Sequence, residues 1–520
     1  MCFLLVLLSC FFIVIADASG AEENKKLHLL EAVQKTLVHE PGIALERQTI
    51  IYSKASYAGA QSIFDTRLSL SGGYQRTKTP LDLLTKTSYE GVDRSMADAR
   101  VLQLGLSKTF RQGLTISPGI EINRSESGLD GSGGATTIFP ITNSAALNFN
   151  FVQPLLRGAG RAAVAGQEES AALTLAATKA NFEHIVSQKV LATTRAFWSY
   201  YIAHERVKIL GKTEKRAEQL KRETQILIDA AEWPAADIQQ TRASLAQKKQ
   251  NRIRAEQSLL AAKHRLAMAM GIKYENFNTL GYAARQYPKM LVDPEQLLEK
   301  YTLLVESALK ERKDFEASAL NLEAAKVLLE SALRNRLPEL NLSGSLGYAG
   351  LKEGSKFERF GESLYTNPQG LNGSLNLVFN WPIENHQYNS AYVQASALVD
   401  QRLIEYEELE RTIRSTLRIS LSNIVSSAAE VETADFSVKS FEIAVENEKK
   451  KLTAGLSTLI DLILMENNAI SARLSWITAL ENYANALAEL RYYLGRLIVM
   501  GEETGHVTWD TLTAVPLLKK

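Results

Sequence analysis

The sequence predicts an α+β chain in which the strands of a transmembrane β-barrel continue into long antiparallel helices that form a coiled-coil barrel. Three observations predict it. Helical pattern runs unbroken for longer than a globular core can use, short segments alternate apolar residues with Asn or Ser, and both kinds of segment recur in one order in the two halves of the chain. Charge adds little: 59 Lys plus Arg against 58 Asp plus Glu in 520 residues leave a net +1, which gives no attraction for nucleic acid or acidic substrates.

In chain order, the apolar run Phe3 to Ile15 ends in Ala16, Asp17 and Ala18, the small-x-small pattern of a secretory cleavage site, so 1–18 reads as a signal peptide. Both cysteines, Cys2 and Cys10, fall within it, which leaves a mature chain without disulfides. No Lys or Arg precedes the run, and Leu7 to Cys10 also resembles a lipoprotein box that would make Cys10 a lipid-bearing N-terminus. No later run of 18 apolar residues follows, so any crossing of a membrane is by strands.

A first structural repeat, 19–271, holds a helix over about 27–64, strands within about 66–153, a long helix over 158–231 and another over 235–271. A linker or equatorial segment, 272–299, leads to a second repeat, 300–497, with a helix over 300–336, strands within about 340–381, helices over 386–453 and 458–495, and a tail over 498–520. Aligning Pro154 with Pro382 places Leu147, Phe149 and Phe151 on Leu375, Leu377 and Phe379, and aligning Asp237 with Asp461 places Gly271 on Gly495 without a gap. The helix over 158–231 would extend on the order of 110 Å, and the half-length helices on either side of it match that length end to end.

The stretch Gly158, Gly160, Ala163 has the spacing of a dinucleotide-binding loop. Its counterpart after Pro382 has no glycine, and helical pattern continues far past the point where a second strand would be needed. Pro154, Gly158, Gly160 and Pro382 therefore read as strand-to-helix junctions, where glycine relieves the backbone. No cofactor is expected.

Heptad spacing gives one seam through Leu462, Met465, Ala469, Ala472, Trp476, Ala479, Tyr483, Ala486, Leu490 and Tyr493. The same register in the first half gives Ile238, Thr241, Leu245, Lys248, Arg252, Ala255, Leu259, Ala262, Leu266 and Ala269, with Lys248 and Arg252 as its exceptions. So many alanines bury little area each, which calls for several helical neighbours.

The strands are expected over 68–76, 101–110, 114–124, 144–153, 340–348 and 371–381. Leu68, Leu70 and Tyr74 alternate with Ser69, Ser71 and Gln75, and Leu375, Leu377 and Phe379 with Ser374, Asn376 and Asn380, as a water-filled barrel in lipid requires. A soluble sandwich with one wet face would alternate in the same way. The tight turn Arg111 to Gly113 falls on the helix side, with long polar loops, 77–100 and 125–143, on the far side. One chain supplies six strands, or four if 101–124 forms an external ribbon; neither closes a useful bore alone, so chains must combine.

The twofold plan, Gln153 to Gly158 after the last strand of the first half, Leu337 to Ser343, and Ala454 to Leu462 at the second helical tip together resemble the outer membrane efflux protein family, the TolC-like exit ducts of Gram-negative bacteria, over about 27–497. The resemblance implies a homotrimer whose barrel of four strands per chain sits in outer-membrane lipid and whose helices reach into the periplasm. It also implies docking on a periplasmic adaptor protein and an inner-membrane pump of RND or ABC type, with passive conduction in efflux or type I secretion. It places a periplasmic gate at Asp461 and Asp237, where carboxylates gathered about a threefold axis would repel one another and titrate upward. Leu464 stands where a second aspartate is common. Adaptor docking maps onto Lys451, Ala454, Gly455 and Leu456, whereas the first tip has Ala231 and Pro234 instead. Seven scattered histidines and the absence of hydrolase, Walker or metal motifs give no sign of an enzyme. The competing class is a non-conducting coiled-coil scaffold or adhesin-like protein of the cell envelope.

Overall fold

The computed structural model describes residues 26–88, 91–131, 136–284, 287–290, 293–365, 370–500, 505–509 and 512. The signal-peptide and lipobox readings, with Cys2 and Cys10, lie outside these. Helices α1 (Leu29–His39) and α2 (Pro41–Gln61) lead into strand β1 (Arg67–Pro80), a short helix α3 (Leu83–Ser88), then strands β2 (Arg94–Thr109), β3 (Thr115–Asp130), β4 (Thr136–Ile138) and β5 (Thr142–Pro154). There follow α4 (Arg161–Val164), α5 (Gly166–Asp229), α6 (Asp237–Ala269), α7 (Gln296–Glu299), α8 (Tyr301–Glu311) and α9 (Lys313–Asn335). Strand β6 (Glu339–Glu353), helix α10 (Arg359–Ser363), strand β7 (Gly370–Asn380), helices α11 (His386–Thr453) and α12 (Leu459–Tyr493), and the short strands β8 (Val499–Met500) and β9 (Gly505–His506) complete the chain.

Three expected helices differ from this. The helix over 27–64 is interrupted at Glu40, whose backbone is extended (φ −69°, ψ 121°) ahead of Pro41, a residue that lacks the N–H a continuing helix would need. The helix over 300–336 is interrupted likewise at Arg312 (φ −74°, ψ 122°), with no proline. There the guanidinium bonds Asp314 in the first turn of α9 at 3.0 and 2.6 Å. The helix over 158–231 starts as the single turn α4 and resumes at Gly166.

The chain divides into two compact units. One comprises residues 45–184 and 312–412. Its sheet runs β1-β2-β3-β5-β6-β7, with β4 as a short addition to β3, and every pairing is antiparallel. The hairpin β2–β3 is therefore part of the sheet and not an external ribbon, because β1 pairs with β2 and β3 with β5. Five of the six long strands contain 13 to 16 residues, more than expected, and β7 has 11, as expected. In β1, β2 and β3 most of the excess lies in segments expected as polar loops, where Arg76 clasps Asp98 through two bonds of 2.7 Å and Arg94 faces Asp130.

Register places one kind of residue on each face, because successive side chains alternate. One row across the sheet reads Leu70, Leu104, Ile120, Leu147, Tyr348, Leu371, and the next row toward the helices holds Leu68, Leu106, Phe149 and Leu346. All of these but Leu70 line a hollow of about 470 Å³. The opposite face carries Ser69, Ser71, Gln103, Glu121, Asn148, Asn150, Ser345, Ser374 and Asn376, bonded among themselves in places, as between Gln103 and Glu121 at 3.0 Å.

The other unit, residues 26–44, 185–311 and 413–512 among those described, is helical. Its core stacks Trp198 on Tyr287 at 5.5 Å and sets Phe197 and Tyr201 edge-on to Trp198, with Leu266, Leu421 and Leu487 fully buried. All twenty seam positions predicted from heptads are buried or half-buried. No helix among the described residues is long and apolar enough to cross a membrane.

Candidate functional site

The helical tips form in one way twice. After α11, the Gly455 N–H donates to the Leu452 carbonyl and the Leu456 N–H to the Lys451 carbonyl, with Gly455 in the left-handed region at φ +72°. After α5, Ala231 bonds Ile228 and Glu232 bonds Leu227 in the same pattern, so Ala231 adopts φ +60° although it carries a Cβ. Both are Schellman caps, which satisfy the carbonyls that a helix end leaves free. The far ends of α6 and α12 close in the same way on Gly271 and Gly495.

Asp461 is the third residue of α12 and belongs to a capping box. Its N–H donates to Thr458 Oγ1 at 3.3 Å, and its carboxylate accepts from the Thr458 N–H at 3.2 Å and hydroxyl at 2.6 Å. The Thr458 hydroxyl, followed by its N–H, holds the carboxyl below the ordinary aspartate range, so within one chain Asp461 shifts opposite to the upward titration expected of a gathered ring. Asp237 begins α6 without a side-chain cap, so the two aligned aspartates differ locally. Lys451 pairs with Glu448 at 3.1 Å, and Ala454 donates to the carbonyls of Lys450 and Lys451. Beyond the cap Leu456 is 78% exposed, and Ile460 and Leu464 repeat its exposure at helical spacing.

Below this tip, α5, α6, α11 and α12 gather charges that sequence spacing did not explain. Lys248, only 7% exposed, bonds Asn467, and Arg252 pairs with Glu214 and Glu256. Burial pushes the adjacent Glu466 carboxyl up, opposed by Arg216, Lys248 and Lys449, and pulls the Lys248 amine down.

In the unit that holds the sheet, the first junction is built on the β2–β3 turn. Gly158 (φ +75°) and Gly160 (φ +85°) follow Pro154, and the Gly160 N–H is taken by the Gln112 carbonyl at 3.0 Å. A Cβ on Gly113 would stand 2.3 Å from the Gly158 carbonyl oxygen. Within this glycine stretch the Gly160 N–H thus faces the hairpin, while the Ala159 N–H is taken by the Leu156 carbonyl at 3.1 Å. Arg111 closes the contact by gripping Glu168 of α5 at 2.7 and 2.6 Å while lying 4.8 Å from the Phe64 ring. The Arg111 bond holds the Glu168 carboxyl below its usual range. At the second junction Pro382 follows β7, and Asn385 takes the left-handed conformation (φ +49°), its amide donating to the Arg336 carbonyl at 3.0 Å. Neither the Arg111–Glu168 clasp nor Asn385 was picked out from sequence, although Asn is the non-glycine residue best suited to that conformation.

Among the described residues no group of three or more potential metal ligands forms. The outer membrane efflux protein family profile matches residues 304–496. No curated protein sequence matches the chain. Among solved structures, a membrane protein from Pseudomonas aeruginosa aligns with a TM-score of 0.63 at 15% identity, over 90% of each chain. The Campylobacter jejuni CmeC outer membrane channel aligns at 0.64 and 14%, over 90% of this chain and 85% of that one. The outer membrane protein VceC from Vibrio cholerae aligns at 0.62 and 13%, over 90% and 96%. The resemblance read from the sequence thus holds: residues 304–496 match the outer membrane efflux protein family, and over about 90% of its length the chain shares the fold of these solved membrane proteins.

Proposed function

We propose that this chain is the outer-membrane channel of an export system, conducting substrates passively from a periplasmic adaptor and an inner-membrane pump of RND or ABC type to the outside. The observation that carries this reading is the register of the sheet, with a continuous apolar face on six strands and Asn, Ser and Gln behind it. Tyr74 lies at one end of the apolar face and Phe379 at the other, positions where outer-membrane barrels carry aromatic girdles. Such a face is stable against lipid, and the opposite face against water.

A six-stranded sheet leaves β1 and β7 as edges, each with an unpaired row of backbone groups. Three copies joined β1 to β7 would close an eighteen-stranded barrel, where the family plan implies twelve. At ordinary strand spacing and tilt, the backbone diameter is then about 36 Å instead of about 24 Å. Matched Schellman caps at Ala231 and Gly455, and at Gly271 and Gly495, together with the breaks at Glu40 and Arg312, support an internal duplication.

Adaptor docking falls to the second tip, where Lys451, Ala454, Gly455 and Leu456 adjoin the exposed Ile460 and Leu464. Asp461 would line the periplasmic entrance with its capping box as support, and Asp237 would lie at the other tip. The chain would reside in the Gram-negative outer membrane with its helices in the periplasm. Purified protein in planar bilayers is expected to form long-lived pores and to run as a heat-sensitive trimer. A soluble, non-conducting protein would mean the scaffold reading instead.

A further inference from the structure

On the same face of the sheet, directly beyond the apolar band, lies a belt of charge that the channel reading leaves unexplained. One row reads Tyr74, Arg100, Arg124, Asn143, Lys352, and the row after it Arg76, Asp98, Glu126. Two further rows add Lys78, and then Arg94 with Asp130. Six basic side chains thus stand against three acidic ones, and the acids are occupied. Asp98 is held by Nε and Nη2 of Arg76 and by the Tyr74 hydroxyl at 3.1 Å, Glu126 accepts from Arg124 at 3.2 Å, and Asp130 lies 4.0 Å from Arg94.

Arg100 and Arg124 are direct cross-strand neighbours. Like charges in that relation destabilise a sheet unless an anion lies between them. Arg124 spends one nitrogen on the Ser355 carbonyl at 3.0 Å and another on Glu126, while Arg100 is exposed. The polar face at the adjoining level carries Gln75, Ala99, Ser125, Thr142 and Glu353, with no cation. The positive charge is therefore confined to the side whose neighbouring rows are Leu102, Ile122, Leu104 and Ile120.

We propose that this rim binds the net-negative, phosphate-bearing headgroups of membrane lipids, with Arg100 and Arg124 as its central pair. The inference rests on the channel reading, because it needs the apolar face to meet lipid. An amphiphile matches the site at both ends: acyl chains lie along the leucines and isoleucines, and the phosphate bridges two guanidiniums whose planar donors suit its oxygens. The low-dielectric band beside them strengthens the attraction. Helix α10 packs on β5 and β6, while Arg76 on β1 and Arg100 on β2 are exposed and Arg124 on β3 is half-buried.

The test reconstitutes the full chain in phosphatidylcholine alone or mixed in equal parts with phosphatidylglycerol, extracts it, and weighs the lipids it retains. The wild type is expected to retain phosphatidylglycerol over phosphatidylcholine on the order of tenfold. Arg100→Gln alone should reduce that preference, and Arg100→Gln with Arg124→Gln should bring it near parity. Lys54→Gln on α2, away from the sheet, should leave it unchanged. A double variant that keeps the wild-type preference overturns the proposal, as does inorganic phosphate displacing the retained lipid, which would mark a free-anion site. Conductance of the same preparations separates the two readings. Pores that persist in the double variant leave the channel standing whatever the lipid result, and a wild type that enters neither bilayer sinks both.

Discussion

Ala231 holds a left-handed backbone that costs a residue with a Cβ about 1–2 kcal/mol, in a cap where Gly455 meets the same demand without strain. Ala231→Gly should therefore raise stability by about 1 kcal/mol, and Gly455→Ala should lower it comparably, read from hydrogen exchange of the amides just before each turn. Glu466 is governed by burial. Its carboxyl is raised above the ordinary 4.5, so the charged form opposes folding, and that opposition fades as pH falls through the raised value. Glu466→Gln should accordingly raise the melting midpoint at about pH 8 and leave it unchanged at about pH 4. At this scale the sequence was legible wherever the reason was local. The seam leucines and the alignment of Asp461 with Asp237 follow from spacing, whereas the turn at Gly455 was marked through the family resemblance. Lys248 could only be marked as an exception, because its explanation, Asn467 on α12, lies 219 residues away.

Among the elements, the hairpin β2–β3 is anchored by the Arg111–Glu168 clasp. Since Glu168 is held below 4.5, its contribution is complete above that pH and is lost as pH falls through the lowered value. Acid below about pH 4.5, or Arg111→Ala at neutral pH, should speed hydrogen exchange at residues 110–114, and in Arg111→Ala the acid response should disappear. The two faces of β2 give a paired prediction. Leu104→Lys should block insertion into lipid, at a cost of about 2–4 kcal/mol if it lies near mid-bilayer, whereas Gln103→Lys should insert normally and shift ion selectivity toward anions. Both the strands and the seams were legible because alternation by two and by three-and-four is written locally. Strand length was not, because the charged pairs that extend β1, β2 and β3 look like loop when each segment is read alone. Pro41 announces one helix break, but nothing in the residues around Arg312 announces the other.

For the whole molecule, the order of the long helices and the six long strands was legible, and the short elements between them and the share of the hairpin in the sheet were not, since pairing depends on which edges meet. If three copies do close eighteen strands, excision of residues 94–130 should leave β1 beside β5 and reduce conductance to roughly half, following the enclosed area. An unchanged conductance would place the hairpin outside the conducting ring. The bare margins of the sheet carry a further genetic consequence. If three copies do close the ring, a solitary copy offers two raw selvedges and no finished object, and a chain whose β1 margin is blocked by proline can still seat one neighbour while refusing the other. Such an allele should poison its intact siblings, with export capacity falling as the cube of the healthy fraction instead of in proportion to it.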